Sequence, residues 1–138
     1  MKLYIKATSS YRSDEEELNL KKHLKQEYKL DVRRQDNFMY LAILGAKRLQ
    51  DNIDICADDE LYLTSASGNI DIITKTDAYV YETNQFITPI DFINILSNTT
   101  SYYVATSLGL RGKNIFQSCF NWTSFEQCAS GDKYLSRF

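Results

Sequence analysis

Proline is nearly absent: the chain has one in 138 residues, with five glycines, three cysteines and one histidine. So little Gly and Pro excludes a collagen-like or low-complexity chain. Three cysteines (Cys56, Cys119, Cys128) are an odd number at irregular spacing. With no CxxC or HExxH motif, neither a disulfide framework nor a zinc site is expected. No motif for another cofactor is present, and none is expected. A large charge of either sign is also missing. The formal net charge is −2, too small to draw the chain to nucleic acid or an anionic membrane. The longest apolar run, Phe38–Ala46, covers nine residues, well short of the ~18 that would read as a membrane span. The first residues, MKLYIKATSSYRSDEEE, contain no apolar core of a secretory signal. A cytoplasmic protein with reduced thiols is the resulting expectation.

What is present fits one folded domain over residues 1–138. Apolar residues make up 43% of the chain, enough to build a core at this length. Leu3–Ala7 alternates weakly and reads as a first strand. Ser13 and Glu16 have the spacing of a capping box, so a surface helix is expected over about 14–28, with Glu17 and Lys21 paired and Leu20, Leu24 and Tyr28 inward. His23 falls on this helix and reads as solvent-facing. Asp36 is placed to cap a second helix over about 37–50 that is buried on more than one face. Gly45 in that helix would let another backbone approach closely. Leu61–Thr64 reads as a strand running into the small-residue turn Ser65–Asn69. Residues 70–81 mix β-branched and helical signals, and the surrounding pattern favours helix. Thr88, Pro89 and Asp91 mark a strong helix start. Apolar spacing continues to Leu108, with a break or re-cap among Ser97–Ser101 and Gly109 as the terminator. Asn114–Cys119 reads as a third strand, and residues 123–129 as a further helix ending near Gly131. Strands separated by helices imply an α/β fold, with layers of helix on a mainly parallel sheet.

Four stretches in this order resemble the N-terminal half of a β-ketoacyl synthase, the acyl-condensing branch of the thiolase-like fold. They are Arg33-Arg34-Gln35-Asp36-Asn37-Phe38 with Leu41-Ala42…Ala46, Leu61–Gly68, Thr88-Pro89…Leu96-Ser97-Asn98-Thr99, and Gly109-Leu110-Arg111-Gly112-Lys113-Asn114. Each motif is small; their order and spacing carry the likeness, over about residues 30–127. The resemblance implies a truncated half of that layered fold.

It also implies a nucleophile at the turn after the third strand, where members of the family carry a cysteine that is acylated by a thioester. Counted from Gly109 without gaps, that position is Asn121, which cannot form an acyl-enzyme. Cys119, two residues earlier, is the fallback nucleophile. The family's two histidines come from its second half, and His23 lies outside the matched region. The expected role is therefore a non-catalytic ketosynthase-like subunit, comparable to a chain-length factor, in fatty acid, polyketide or aryl-polyene-type synthesis. Two alternatives stand beside it: a thiol-dependent acyl-carrier or acyl-CoA condensing enzyme using Cys119, and a small acyl-binding or dimeric scaffold module. An acyl pocket would be lined by Ser65, Ser67, Gly68, Cys119, Phe120, Asn121 and Trp122. Asn114, Ile115, Phe116, Gln117 and Ser118 would meet a partner, either a second copy or a full-length ketosynthase, with acyl carrier protein as a further partner. Arg111 would be a surface residue or a contact for the carrier's phosphopantetheine phosphate.

Overall fold

The computed structural model describes residues 4–96 and 98–118. It contains five helices and two strands in the order α1 (Leu20–Gln26), α2 (Asn37–Gln50), β1 (Leu61–Ser65), α3 (Ile70–Tyr81), α4 (Pro89–Ile95), α5 (Asn98–Leu108) and β2 (Asn114–Ser118). The strands pair in parallel, with Leu61 opposite Asn114 and Ser65 opposite Ser118. A parallel pair needs a long crossover, and α3, α4 and α5 supply it. The mixed α/β class is as expected, with a small parallel sheet of two strands among the described residues.

The core lies between α1, α2 and α5. Leu24, Val32, Ile43, Leu44 and Val104 are essentially fully buried, and Leu20 and Tyr40 nearly so. Burying one such side chain contributes roughly 1.5–3 kcal/mol, so this cluster is the main source of stability. The Tyr40 hydroxyl lies 2.8 Å from the Gln35 carbonyl and 3.0 Å from that of Val32, donating to either one. The ring can therefore sit in the core while its polar end is satisfied.

Helix starts follow the side chains that cap them. Asp36 accepts from the Met39 N–H and opens α2 where expected. Thr88 accepts from the Asp91 N–H and opens α4, with Pro89 in its first turn. The helix over 70–81 forms with the expected bounds. Gly109, at φ +73°, follows the end of α5 and takes the left-handed conformation that ends a helix.

Three expectations fail for physical reasons. Tyr4–Ala7 is not a strand: Tyr4 and Ile5 are 82% and 85% exposed, with no described strand beside them. The first helix begins at Leu20, capped by Asn19, whose side chain accepts from the Lys22 N–H. In a helix Asp14 and Glu17 would be like-charged neighbours three positions apart. Asp14, Glu15 and Glu16 are drawn off instead: Arg12 pairs with Asp14 and Glu15, and Arg48 of α2 binds Glu16 at 2.6 Å. Glu17 therefore precedes the helix, and its helical pairing with Lys21 does not form. Residues 9–16 become a strap tied to α2, with the Ser9 hydroxyl donating to the Gly45 carbonyl at 2.7 Å and Arg48 donating to the Ser10 carbonyl at 3.1 Å. Gly45, finally, admits no close backbone: a Cβ there would meet nothing within 4 Å. The expected helix at 123–129 lies outside the described residues.

Candidate functional site

The resemblance points to the carboxyl-end edge of the sheet. There β1 ends at Ser65, whose hydroxyl accepts from the Gly68 N–H at 3.0 Å. Gly68 has φ +62°, a conformation that favours glycine, and closes the turn into α3. Ser118 ends β2 directly opposite Ser65, and its hydroxyl donates to the Ala66 carbonyl at 3.5 Å. Ser65, Gly68 and Ser118 therefore meet at one edge, with Ser67 exposed in the same turn. Cys119, Phe120, Asn121 and Trp122 lie outside the described residues.

The approach to β2 is fixed by close backbone packing. Arg111 donates its N–H to the Ala57 carbonyl at 2.6 Å, and Leu61 donates to the Lys113 carbonyl at 2.8 Å. Between them, a Cβ on Gly112 would collide with the carbonyls of Asp58 and Asp59. The Arg111 side chain is exposed, as expected for a surface position. Of the five residues expected at a partner surface, Ile115, Phe116 and Gln117 are half-buried, and Asn114 and Ser118 are exposed. They pair with β1 along one edge, and no other described strand lies along the opposite edge.

A second site adjoins the turn, and sequence reasoning missed it. Asn69, 4% exposed, donates through its side-chain amide to Asp36 Oδ2 at the start of α2 and, at 3.4 Å, to the Asn94 carbonyl in α4. Asn94, also 4% exposed, donates through Nδ2 to the Arg34 carbonyl at 3.2 Å. Beside them Lys75 Nζ binds Asp91 Oδ1 at 3.0 Å, and the Thr88 hydroxyl donates to Asp91 Oδ2 at 2.9 Å. Burial pushes the Asp91 carboxyl up, but Lys75 and Thr88 outweigh it and hold the carboxyl below the usual carboxylate range. These groups line a notch of about 330 Å³ between residues 33–38, α3 and α4. Two acceptors at the notch, Asn94 Oδ1 and Gln35 Oε1, are buried and have no hydrogen-bond partner among the described residues. The available signal was Asn94, a second polar residue besides Asp91 in an otherwise apolar helical stretch. Its partners are 25 and 60 positions away, out of reach of local pattern reading.

A larger groove of about 730 Å³ lies between the 11–14 strap, the start of α1 and α2. No cluster of three or more His, Cys, Asp or Glu among the described residues could hold a metal ion. His23 is half-buried rather than solvent-facing, with its ring edge-on to Tyr28 at 5.9 Å. It sits on α1, which packs against α2. Cys56 is an exposed free thiol. No helix among the described residues is long and apolar enough to cross a membrane. Comparison with protein-family models, with curated proteins and with solved structures finds no match to this chain.

Proposed function

We propose that this chain is a ketosynthase-like component without condensing activity of its own, serving in fatty acid, polyketide or aryl-polyene-type synthesis in the cytoplasm. The observation that carries the reading is the meeting of Ser65, Gly68 and Ser118 at the carboxyl ends of two parallel strands. The resembled family builds its acyl site at such an edge, and ligands of parallel sheets gather there in general. Asn121 in place of the acylated cysteine supports a silent role. So does the position of the single histidine, on α1, which packs on α2 and not on the strands. Strand β2 would meet the partner, a full-length ketosynthase or a second copy, as the corresponding strand of the resembled family meets its mate across the dimer. Acyl carrier protein would then approach the Arg111 turn.

Intact-mass measurement after incubation with malonyl- and acyl-coenzyme A tests the reading. No added acyl mass is expected, together with co-elution of the chain with a purified ketosynthase. An acyl group mapped to Cys119 would replace this reading with that of a thiol acyltransferase. Failure to bind any ketosynthase would remove the subunit role.

A further inference from the structure

Helix α4 turns its polar residues inward. Asp91 and Asn94 are 8% and 4% exposed, while Phe92 and Ile93 are 59% and 44% exposed. Ordinary surface helices bury the apolar stripe instead. The inward groups line the notch between residues 33–38, α3 and α4, and most polar groups there are satisfied. Asp36 accepts from the Met39 N–H and the Asn69 amide, and Asp91 accepts from Lys75 and Thr88. Arg33 is held by Asp31. Two acceptors are left over: Asn94 Oδ1 and Gln35 Oε1 are buried with no partner among the described residues, and both residues line the notch. Reversing the Asn94 amide would not cure this. Its nitrogen donates to the Arg34 carbonyl at 3.2 Å, and the flipped amide would set oxygen against oxygen. Asn69 has no donor to spare, because its amide is committed to Asp36 and to the Asn94 carbonyl. A buried acceptor without a donor costs free energy, and native proteins keep few of them.

We infer that the notch is a binding site for a small, neutral primary carboxamide. The leftover groups set the ligand's chemistry. Both are neutral acceptors, and the nitrogen of one carboxamide carries two N–H donors. An ammonium suits them less well, since the nearby carboxylates already have partners and its charge would be buried against neutral oxygens. The lining agrees: Arg33, Arg34 and Lys75 balance Asp36, Asp71 and Asp91, so a ligand of either sign gains nothing from the sum. The ligand's carbonyl has a donor in Lys75, which spends one of its three N–H groups on Asp91 and whose side chain is 46% exposed. Phe38, Ile72 and Ile90 offer an apolar wall for the rest of the molecule. At about 330 Å³ the notch lies at the small end of ligand sites, so the ligand is small. The inference goes beyond the ketosynthase-like reading and does not depend on it, since it uses none of the residues at the sheet edge.

Titration of the full, isotope-labelled chain with benzamide is the test, read by NMR on the side-chain amide resonances of Asn94 and Gln35. Saturable shifts with a dissociation constant on the order of 1 mM are expected for so small a ligand. N,N-dimethylbenzamide keeps the ring and carbonyl but has no N–H, and should bind about 10-fold more weakly or worse. Gln35→Met keeps the length of the side chain and removes Oε1. It should weaken benzamide by about 10-fold while leaving the thermal midpoint no lower than the parent's, because a buried acceptor without a donor has gone. The comparison of the two amides on the parent chain needs no variant to fold. Absence of shifts at about 50 mM benzamide would leave the two oxygens to water and overturn the inference. Equal binding of the two amides would do the same, as would a folded Gln35→Met chain that binds benzamide like the parent. None of these results bears on acylation or on ketosynthase binding, so the two readings fail separately.

Discussion

Asn69 and Asp36, 33 positions apart, share a hydrogen bond that joins the turn after β1 to the start of α2. The same carboxylate accepts from the Met39 N–H through its other oxygen. One side chain thus caps a helix and anchors the turn that launches α3. Asp36→Ala removes both bonds and leaves the buried Asn69 amide short of its acceptor. The helix cap alone is worth about 1 kcal/mol, and a hydrogen bond to a charged group about 1.5–3 kcal/mol. Urea unfolding should show a loss of about 2–4 kcal/mol for Asp36→Ala. A double-mutant cycle with Asn69→Ala should give a coupling of about 1 kcal/mol or more. Additive single losses would show that the two residues act independently.

The glycines should respond oppositely to the same substitution. Gly45 lies inside α2, and a Cβ there meets nothing within 4 Å. Gly45→Ala should stabilise by about 0.5–1 kcal/mol through helix propensity. Gly112→Ala drives a Cβ into the backbone carbonyls of Asp58 and Asp59, which have no flexible end to move aside. It should separate the 57–60 and 110–113 loops and destabilise by about 2 kcal/mol or more, comparable to overpacking a core. Thermal unfolding of the two variants checks both signs.

Burial predicts a third contrast within α2. Leu44 is 0% exposed and Leu41 37%. Leu44→Ala should destabilise by about 2–5 kcal/mol, because the cavity adds to the lost transfer free energy. Leu41→Ala should lose less than about 1 kcal/mol. Equal losses in urea titrations would mean that Leu41 is covered in solution.

Local chemistry accounts for what was legible. Asp36, Thr88-Pro89 and Gly109 act on neighbours within a turn, so α2, α4 and the end of α5 could be placed from the chain alone. Residues 70–81 were ambiguous by composition, and the crossover required by a parallel pair decided them. The start of α1 was misplaced because Glu16 is bound by Arg48, 32 positions away. The Asp36–Asn69–Asn94 junction was invisible for the same reason. The outward roll of α4 follows from that junction, so the apolar spacing of Ile90, Phe92, Ile93 and Leu96 could not show that this face is exposed. The turn Ser65–Asn69 was legible because a strand end and a small-residue turn are local features, whereas Ser118 was read as part of a partner surface and its place opposite Ser65 is set by strand pairing 53 positions apart. The other half of the expected acyl pocket lies beyond the described residues.

Alkaline titration should report on Tyr28. Burial, and then its hydrogen bond to Asp51 at 2.7 Å, push its hydroxyl up to about 12 from an ordinary value of 10. A raised folded value favours the protonated form. Its contribution is therefore complete below about pH 10 and is lost as pH rises towards 12. Ultraviolet difference titration should show a tyrosine step near pH 12 that belongs to Tyr28. Asp51→Ala should bring it forward. An unchanged late step in that variant would assign the shift to burial alone.

Acid should act through Asp91. Its folded value lies below the ordinary 3.8 because Lys75 and Thr88 together outweigh burial. A depressed carboxylate contributes stability that is present above its unfolded value and is lost as pH falls through the folded one. The window is therefore below about pH 4, reached from neutral pH with little change from this group. Lys75, raised by the same ion pair, stays charged throughout that range. Asp91→Asn keeps the size and loses the charge, so its stability should fall at pH 7 and converge on the parent's at low pH. Because Lys75 is nearly half exposed, solvent screens the pair, and the difference at pH 7 should be about 1 kcal/mol. Urea midpoints measured from pH 7 down to about pH 2.5 give both curves. Parallel curves that never converge would place the effect of Asp91→Asn in packing rather than in charge.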